Sequence, residues 1–233
     1  MTTGLTSTYG RWGIVAGGSD GVGVAFAHGM AARGMNIVLV ARRVPVLEAA
    51  ADDIRARHGV EVRTVALDLS APDAMAKLAA SAAGLEVGLF VYNAGGDDRS
   101  TAFLDKDLEA HRELVNRNCV SVLEAAYRFG APMVARGRGG LVLVTSGAAW
   151  AGGATLAAYG ATKAFDLILA EALWAEWRGS GVDAGPGESL LKPEEFPFPW
   201  PPTADRSRRC AGRSASGSHP ARGARRPARS AFP

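Results

Sequence analysis

The chain has 233 residues and 48% of them are hydrophobic, a length and composition that suit one α/β domain with a full core. No apolar run approaches the ~20 residues that span a bilayer, and no secretory signal is recognisable, so we expect a cytoplasmic protein without a membrane span. The net charge of +3 is uneven: residues 204–233 carry eight arginines and one aspartate, which leaves −4 on residues 1–203 and no electrostatic reason to bind nucleic acid.

Cysteine and histidine usage argues against two further kinds of site. Only Cys119 and Cys210 occur, which gives no disulfide framework and fits a reducing compartment. The four histidines are scattered and lack the spacing of metal ligands, so we expect no metal.

Short apolar runs alternate with longer amphipathic ones up to about residue 183. The predicted strands are residues 12–17, 36–41, 60–67, 87–95 and 140–146. The predicted helices are residues 21–33, 44–57, 72–83, 105–135 and 155–178. Most of the strands are apolar throughout, as expected when helices cover both faces of a parallel sheet. The pattern predicts an α/β fold with a doubly wound parallel sheet, whose ligands bind at the carboxyl ends of the strands.

The first strand runs into the segment "AGGSDGVG", which spaces Gly17, Gly21 and Gly23 just before a helix. Glycines allow close backbone approach, and a helix N-terminus offers free N–H groups to a phosphate. We therefore assign the three glycines, with Ser19 and Val22 between them, to a dinucleotide site. An ordinary glycine turn is the alternative.

The second strand ends in "IVLVARR", where an NAD-binding fold usually places an acid for the ribose hydroxyls. Ala41 stands at that position, and Arg42 and Arg43 follow. This pattern favours a 2′-phosphate, hence NADP(H) over NAD(H), although the arginines could also be a solvated pair at a helix start. At the end of the third strand, Asp68 could reach the adenine, and Ser70 could cap the following helix.

Five segments in the chain resemble the classical short-chain dehydrogenase/reductase family. They are the glycine segment at 17–23, "NAG" at 93–95, "NRNCVS" around Asn118, "VTSGAA" around Ser146 and "YGATK" at 159–163. The resemblance covers residues 10 to about 183 and implies a Rossmann-like fold in which Asn93, Ala94 and Gly95 contact the cofactor. Ala16, where the family usually has Thr, and Asp20 in the glycine loop depart from the pattern.

Tyr159 and Lys163 are four residues apart, so on a helix they share one face. The resemblance implies that Tyr159 donates a proton to a substrate carbonyl, that Lys163 favours the phenolate and holds the nicotinamide ribose, and that Ser146 hydrogen-bonds the carbonyl oxygen. It also implies that Asn118 anchors a water serving Lys163. Taken singly, Tyr159 could be a packed aromatic, Ser146 a turn serine and Asn118 a buried amide. The predicted function is reduction of a small carbonyl compound or oxidation of the alcohol; the alternative is a catalytically weak dinucleotide-binding protein.

The family pattern stops near residue 183, so we divide the chain into a dinucleotide-binding domain at 1–183 and a Pro-, Arg-, Ala- and Ser-rich tail at 184–233. From residue 204 on, no Val, Ile, Leu or Met occurs, which predicts disorder. The sheet would then lack its last strand or strands. Three explanations of this tail are open. It could be a frameshifted end, a basic tail for an acidic partner or membrane surface, or the end of a variant with a reduced substrate lid.

Apolar stripes occur in "LEAAYRFGAPMVARG" at 123–137 and "LILAEALWAEW" at 167–177. They resemble the helices that pack subunits together in the family, and this predicts a homodimer or homotetramer. The same stripes could instead face the sheet.

Overall fold

The computed structural model describes residues 4–97 and 100–187. The strands in these residues are β1 (Trp12–Ala16), β2 (Asn36–Ala41), β3 (Val62–Ala66), β4 (Val87–Tyr92), β5 (Gly139–Leu143) and β6 (Val182–Pro186). The α-helices are α1 (Leu5–Thr8), α2 (Gly21–Ala31), α3 (Val44–His58), α4 (Ala74–Ser81), α5 (Leu108–Val115), α6 (Ser121–Arg136) and α7 (Ala157–Glu176). Single 3₁₀ turns occur at Phe103–Asp105 and Gly147–Ala149, and a π-helical turn at Asn116–Val120 joins α5 to α6.

The six strands form one parallel sheet in the order β3-β2-β1-β4-β5-β6. The chain therefore winds outward from β1 in both directions, and β1 and β4 flank the point where the winding reverses. This is the Rossmann-like doubly wound sheet that the alternating pattern predicts, and such a reversal is where ligands bind.

Both faces of the sheet are buried, which explains why the strands are apolar throughout. Ile14 and Phe90 point into a core built with α4, α6 and α7. Their neighbours Val15 and Val91 point into a second core with α2 and α3. Successive side chains of a strand alternate between faces, so a strand covered on both sides needs apolar residues at every position.

The strand register lines up the loops that matter for function. Ala16 is paired with Tyr92, and Tyr92 with Leu143, so β1, β4 and β5 end in one row. The segments that start at Gly17, Asn93 and Val144 consequently leave the sheet at the same edge.

One predicted helix is wrong in its continuity. The segment 105–135, taken as a single helix, is divided into a 3₁₀ turn, α5, the π-helical turn and α6. The π-helical turn carries the buried Asn118, whose side chain bonds outside the helix. Such bulges are frequent at functional sites because they re-aim a side chain.

The remaining differences concern element ends. Ser70 does not cap α4, which begins four residues later at Ala74; its backbone N–H and hydroxyl donate to Asp68 instead. The strand β6 continues to Pro186 and pairs with β5 along its length, three residues past the predicted division at residue 183. The rest of the predicted tail lies outside the described residues.

None of the described helices is long and apolar enough to cross a membrane.

Candidate active site

The glycine loop between β1 and α2 is held by close backbone contacts. A Cβ on Gly17 would lie 2.7 Å from the backbone nitrogen of Ala94, and a Cβ on Gly23 would lie 2.0 Å from the carbonyl oxygen of Gly17. Gly17 also has φ = +80°, which glycine adopts without strain. The first turn of α2 thereby packs directly on the loop, with its N–H groups at the edge of the sheet.

A cleft of about 470 Å³ opens beside this loop. Six residues that the sequence assigns to a cofactor line it: Gly17, Ser19, Arg42, Arg43, Ala94 and Gly95. Nine other assigned residues do not line it: Gly21, Val22, Gly23, Asp68, Asn93, Asn118, Ser146, Tyr159 and Lys163. The cleft is thus the part of the candidate site near β2 and β3. The predicted catalytic residues lie elsewhere: Asn118 in the π-helical turn, Ser146 just after β5, and Tyr159 and Lys163 on α7.

The cleft is positively charged. Its lining carries four cationic side chains and two anionic ones. Lys106 is neutralised, since its Nζ donates to both carboxylate oxygens of Asp97 at 2.7 Å in a nearly buried pair. Arg43 lies 3.4 Å from Asp20 in an exposed pair, which is a weak interaction.

Arg42 and Arg117 act on Asp68, which follows β3. Partial burial raises the pKa of the Asp68 carboxyl, but hydrogen bonds from Ser70 and the charges of Arg42 and Arg117 outweigh it, so that the pKa lies below its ordinary value. Asp68 is therefore ionised at neutral pH. Arg117 also donates to the carbonyl oxygen of Gly96, which holds its guanidinium at the wall of the cleft.

The segment Asn93–Gly95 links β4 to the glycine loop. The Asn93 side chain donates to the carbonyl oxygen of Gly17 at 3.1 Å, and the backbone N–H groups of Asn93 and Ala94 both donate to Ala16. On its other side, Gly95 accepts a hydrogen bond from Asn118. The segment thus ties the glycine loop to the π-helical turn.

Asn118 is fully buried in the π-helical turn. Its Nδ2 donates to Gly95 O at 3.0 Å and to Thr162 Oγ1 at 2.9 Å. Thr162 in turn donates to the carbonyl oxygen of Tyr159 at 2.8 Å. The Asn118 Oδ1 is buried without a hydrogen-bond partner in the described part of the chain, so an acceptor remains available there.

The helix α7 brings Tyr159 and Lys163 to the end of β5. Lys163 Nζ donates to Val144 O at 2.9 Å, and Thr145 Oγ1 donates to the backbone oxygen of Lys163 at 3.0 Å. Gly160 permits a close approach, since a Cβ there would lie 3.0 Å from the carbonyl oxygen of Ala148. These contacts set the half-buried Tyr159 beside the segment that carries Ser146.

Ser146 ends this segment as the N-cap of a 3₁₀ turn. Its Oγ accepts from the backbone N–H of Ala148 at 3.2 Å. The hydroxyl hydrogen is not used in that bond, so it can be donated to a ligand.

Lys163 makes a second contact that the sequence motifs do not include. Its Nζ lies 3.0 Å from Asp166 Oδ2, and both side chains are almost completely buried. Burial raises the pKa of the Asp166 carboxyl to about 6, although the charge and hydrogen bond of Lys163 lower it. The other oxygen, Oδ1, has no hydrogen-bond partner among the described residues.

Three residues of the site were missed by the sequence reasoning: Arg117, Thr162 and Asp166. Thr162 lies one residue before Lys163 and Asp166 three residues after it, both buried on α7, and the i,i+3 charge pair is visible in the sequence. Arg117 gave no signal, because within an uninterrupted helix it looks like any surface arginine.

Comparison with known proteins gives a consistent result. Residues 11–185 match the family model described as short chain dehydrogenase. A 7beta-hydroxysteroid dehydrogenase of Collinsella aerofaciens is 36% identical over 179 residues, covering 77% of this chain and 68% of that protein. A very-long-chain 3-oxoacyl-CoA reductase of Macaca fascicularis is 34% identical over 176 residues, covering 74% of this chain; the chain spans 56% of that reductase.

The fold has solved relatives as well. A short-chain dehydrogenase from Sphingobium yanoikuyae in complex with NADPH is similar with a TM-score of 0.71 and 30% sequence identity. The similarity covers 76% of this chain and 69% of that one.

Proposed function

The chain belongs to the short-chain dehydrogenase family, and we propose that it interconverts a carbonyl compound and the corresponding alcohol with NADP(H). The observation that carries the proposal is that Tyr159 shares one face of α7 with Lys163, which is hydrogen-bonded to Val144 and Thr145 just after β5. In this proposal the Tyr159 hydroxyl is the proton donor and the Lys163 ammonium is the cation, at the sheet edge where the dinucleotide loop also lies.

The glycine loop and the adjoining cleft fit a dinucleotide. Gly21, at the start of α2, has open space where a Cβ would stand, and so does Gly96 at the cleft wall. The N-terminus of α2 favours an anion, so the glycine loop with Ser19, Val22 and Gly23 would hold the pyrophosphate. Asp68 and the Asn93–Gly95 segment would hold the adenosine and nicotinamide portions. The nicotinamide ring, when bound, supplies the hydride or accepts it.

The preference for NADP(H) is supported by the charge at the end of β2. Ala41 cannot bind ribose hydroxyls, whereas the guanidinium groups of Arg42 and Arg43 can bind a phosphate by charge-assisted hydrogen bonds. A neighbour in fold binds NADPH. We assign Arg42 the larger share, because Arg43 already faces Asp20.

The proton chemistry belongs to three side chains. In the reducing direction the Tyr159 hydroxyl gives its proton to the carbonyl oxygen, which becomes the alcohol oxygen, and in the oxidising direction Tyr159 takes that proton back. The Ser146 hydroxyl donates a hydrogen bond to the same oxygen. The Lys163 ammonium has a third hydrogen beyond those given to Val144 and Asp166, and this hydrogen is available to the ribose.

The proton on Tyr159 must be renewed after each reduction. The free Oδ1 of Asn118 is an acceptor in a buried polar region shared with Thr162, and such an atom suits a bound water. A water held there would pass protons toward Lys163. Asn118 is thus the proposed anchor of the relay.

The substrate class is proposed from the relatives' names, which point to steroid ketones and 3-oxoacyl thioesters. In both classes the ketone belongs to a large apolar group, a steroid skeleton or a long acyl chain. A panel of one 7-oxosteroid, one 3-oxoacyl-CoA and one simple aryl ketone, each assayed by NADPH oxidation, would separate these classes.

The test of the proposal compares Tyr159→Phe with the matched control Tyr127→Phe, whose ring is 79% exposed on α6. We expect Tyr159→Phe to lose turnover by at least about 100-fold while NADPH binding stays within a few-fold. Lys163→Ala should impair both turnover and binding. Retained turnover in Tyr159→Phe contradicts the mechanism, and a wild type that binds NADPH but reduces no ketone favours a dinucleotide-binding protein instead.

A further inference from the structure

A buried polar cluster lies behind Tyr159, between α7, β4 and the π-helical turn. Its centre is the ion pair of Lys163 and Asp166, whose side chains are 4% and 2% exposed. Asn118 and Thr162 are also buried there and are hydrogen-bonded to each other. The proposed mechanism uses Lys163 and Asn118 but leaves Asp166 without a role.

Stability alone does not account for this pair. Removing two charges from water costs several kcal/mol per ion, and apolar residues of similar size often stabilise a core as well or better. Asp166 is also incompletely bonded, since its Oδ1 is buried without a partner in the described residues. Packing alone therefore does not explain why an incompletely hydrogen-bonded carboxylate is buried at this position.

We propose that Asp166 is a positioning residue that keeps the Lys163 ammonium aimed at the nicotinamide ribose. This inference rests on the proposed function, because it assigns Lys163 to the ribose. The hydrogen bonds to Val144 O and Asp166 Oδ2 hold two of the three ammonium hydrogens and so fix the direction of the third. The carboxylate is also the counter-charge of this buried ammonium, at 3.0 Å from Nζ to Oδ2.

Neither of two neighbouring titratable side chains replaces the Asp166 carboxylate as the counter-charge of Lys163. The titratable groups that act on Asp166 from the neighbouring elements are Tyr92 on β4 and Cys119 in the π-helical turn. Burial raises the pKa of Tyr92, and it raises the pKa of the Cys119 thiol to about 11, so both stay neutral at pH 7. Neither Tyr92 nor Cys119 therefore balances the charge of Lys163 at neutral pH, and Asp166 does.

The test is the dissociation constant of NADPH, measured at neutral pH for the wild type, Asp166→Asn and Asp166→Glu. Asn keeps the shape and an acceptor but removes the charge. We expect Asp166→Asn to weaken NADPH binding about tenfold, because the charge-assisted hydrogen bond that holds the ammonium becomes a weaker neutral one. Asp166→Glu should bind NADPH within about threefold of the wild type, because it keeps the carboxylate.

Two controls assign the effect. Asp73→Asn removes the carboxylate of an exposed ion pair with Lys77, and its NADPH affinity should match that of the wild type. In a Lys163→Met background, Asp166→Asn should weaken NADPH binding no further, since the ammonium that Asp166 positions is gone. A purely structural role for Asp166 would instead weaken binding equally in both backgrounds.

The outcomes separate this inference from the proposed function. A wild type that binds no NADPH contradicts the function, whereas normal wild-type binding with an unchanged affinity in Asp166→Asn contradicts only the role of Asp166. If Asp166→Asn cannot be obtained folded, Asp166→Ser decides by the same comparison. Weaker binding in the wild-type background but not in the Lys163→Met background supports the inference, and an equal effect in both backgrounds overturns it.

Discussion

Asn118 and Thr162 are joined by a buried hydrogen bond of 2.9 Å from the amide Nδ2 to the hydroxyl oxygen. The bond connects the π-helical turn to α7 across 44 residues of sequence. Thr162 passes the connection to the backbone oxygen of Tyr159. The position of the proposed proton donor is therefore coupled to the loop that carries Gly95, the second acceptor of Asn118.

Thr162→Val should destabilise the protein and impair catalysis. Valine has nearly the same shape, but it leaves one Asn118 N–H without its acceptor, and an unsatisfied buried donor costs about 1–3 kcal/mol of unfolding free energy. Urea unfolding measures this loss. The control Thr101→Val, at an exposed site, should stay within about 0.5 kcal/mol. Equal stability of the two variants would show that the Asn118–Thr162 bond contributes nothing.

Arg42→Ala should remove most of the preference for NADPH over NADH. We expect the wild type to bind NADPH about tenfold or more tightly than NADH, because hydrogen bonds to a charged group contribute about 1.5–3 kcal/mol. The dissociation constants of both cofactors, measured for wild type, Arg42→Ala and the exposed control Arg112→Ala, decide the matter. Equal affinities in the wild type, or a preference unchanged in Arg42→Ala, refute the role of Arg42.

Asp20→Asn should strengthen NADPH binding. The variant frees Arg43 from its exposed partner at 3.4 Å, and asparagine remains a good N-cap for α2. The gain should be modest, about two- to fivefold, since exposed pairs contribute up to about 1 kcal/mol. The gain should shrink at high salt and be smaller for NADH. Unchanged or weaker NADPH binding at low salt would mean that Arg43 does not meet the phosphate.

The fold and the glycine loop were accessible from the sequence because their signals are local. Continuous apolar runs identify strands covered on both faces, and the spacing of Gly17 and Gly23 reflects a backbone contact that admits no Cβ. The same holds for Tyr159 and Lys163, whose shared face follows from helical periodicity alone.

The rest of the site depends on packing between distant segments. The π-helical turn at Asn118 follows from bonds to Gly95 and Thr162, which no helical pattern reveals. Asp166 has the spacing of an ordinary surface pair with Lys163, and only the packing of β4 and the π-helical turn buries it. The predicted tail beyond residue 187 lies outside the described residues.

Asp166 should also give the stability a distinctive pH dependence. Its pKa is about 6 in the folded protein against 3.8 as its ordinary value. Between these pH values the folded state keeps a proton that the unfolded state has released, so the free energy of unfolding falls as the pH rises from 4 to 6. Two pKa units correspond to about 3 kcal/mol.

The measurement is urea unfolding of wild type and Asp166→Asn at pH 4 and pH 6.5. Other carboxyl groups, such as Asp68, whose pKa is lowered, have the opposite slope and are common to both proteins. The difference between the two proteins isolates Asp166. A difference that does not change with pH would rule out a raised pKa at this position.

A second copy of the chain should pack against the outer faces of α6 and α7. Leu123 and Val134 are 52% and 36% exposed about three turns apart on α6, and Ile168 is 63% exposed on α7. The sequence predicts a homodimer or homotetramer from these stripes, and exposed apolar side chains at helical spacing are typical of an interface. Leu123→Asp and Ile168→Asp should each lower the mass measured by light scattering to that of a monomer, because a buried unpaired charge opposes association.

The control Leu104→Asp, at a residue 91% exposed outside both helices, should leave the mass unchanged. A monomeric wild type, or variants that keep the wild-type mass, would show that the stripes are not a subunit interface.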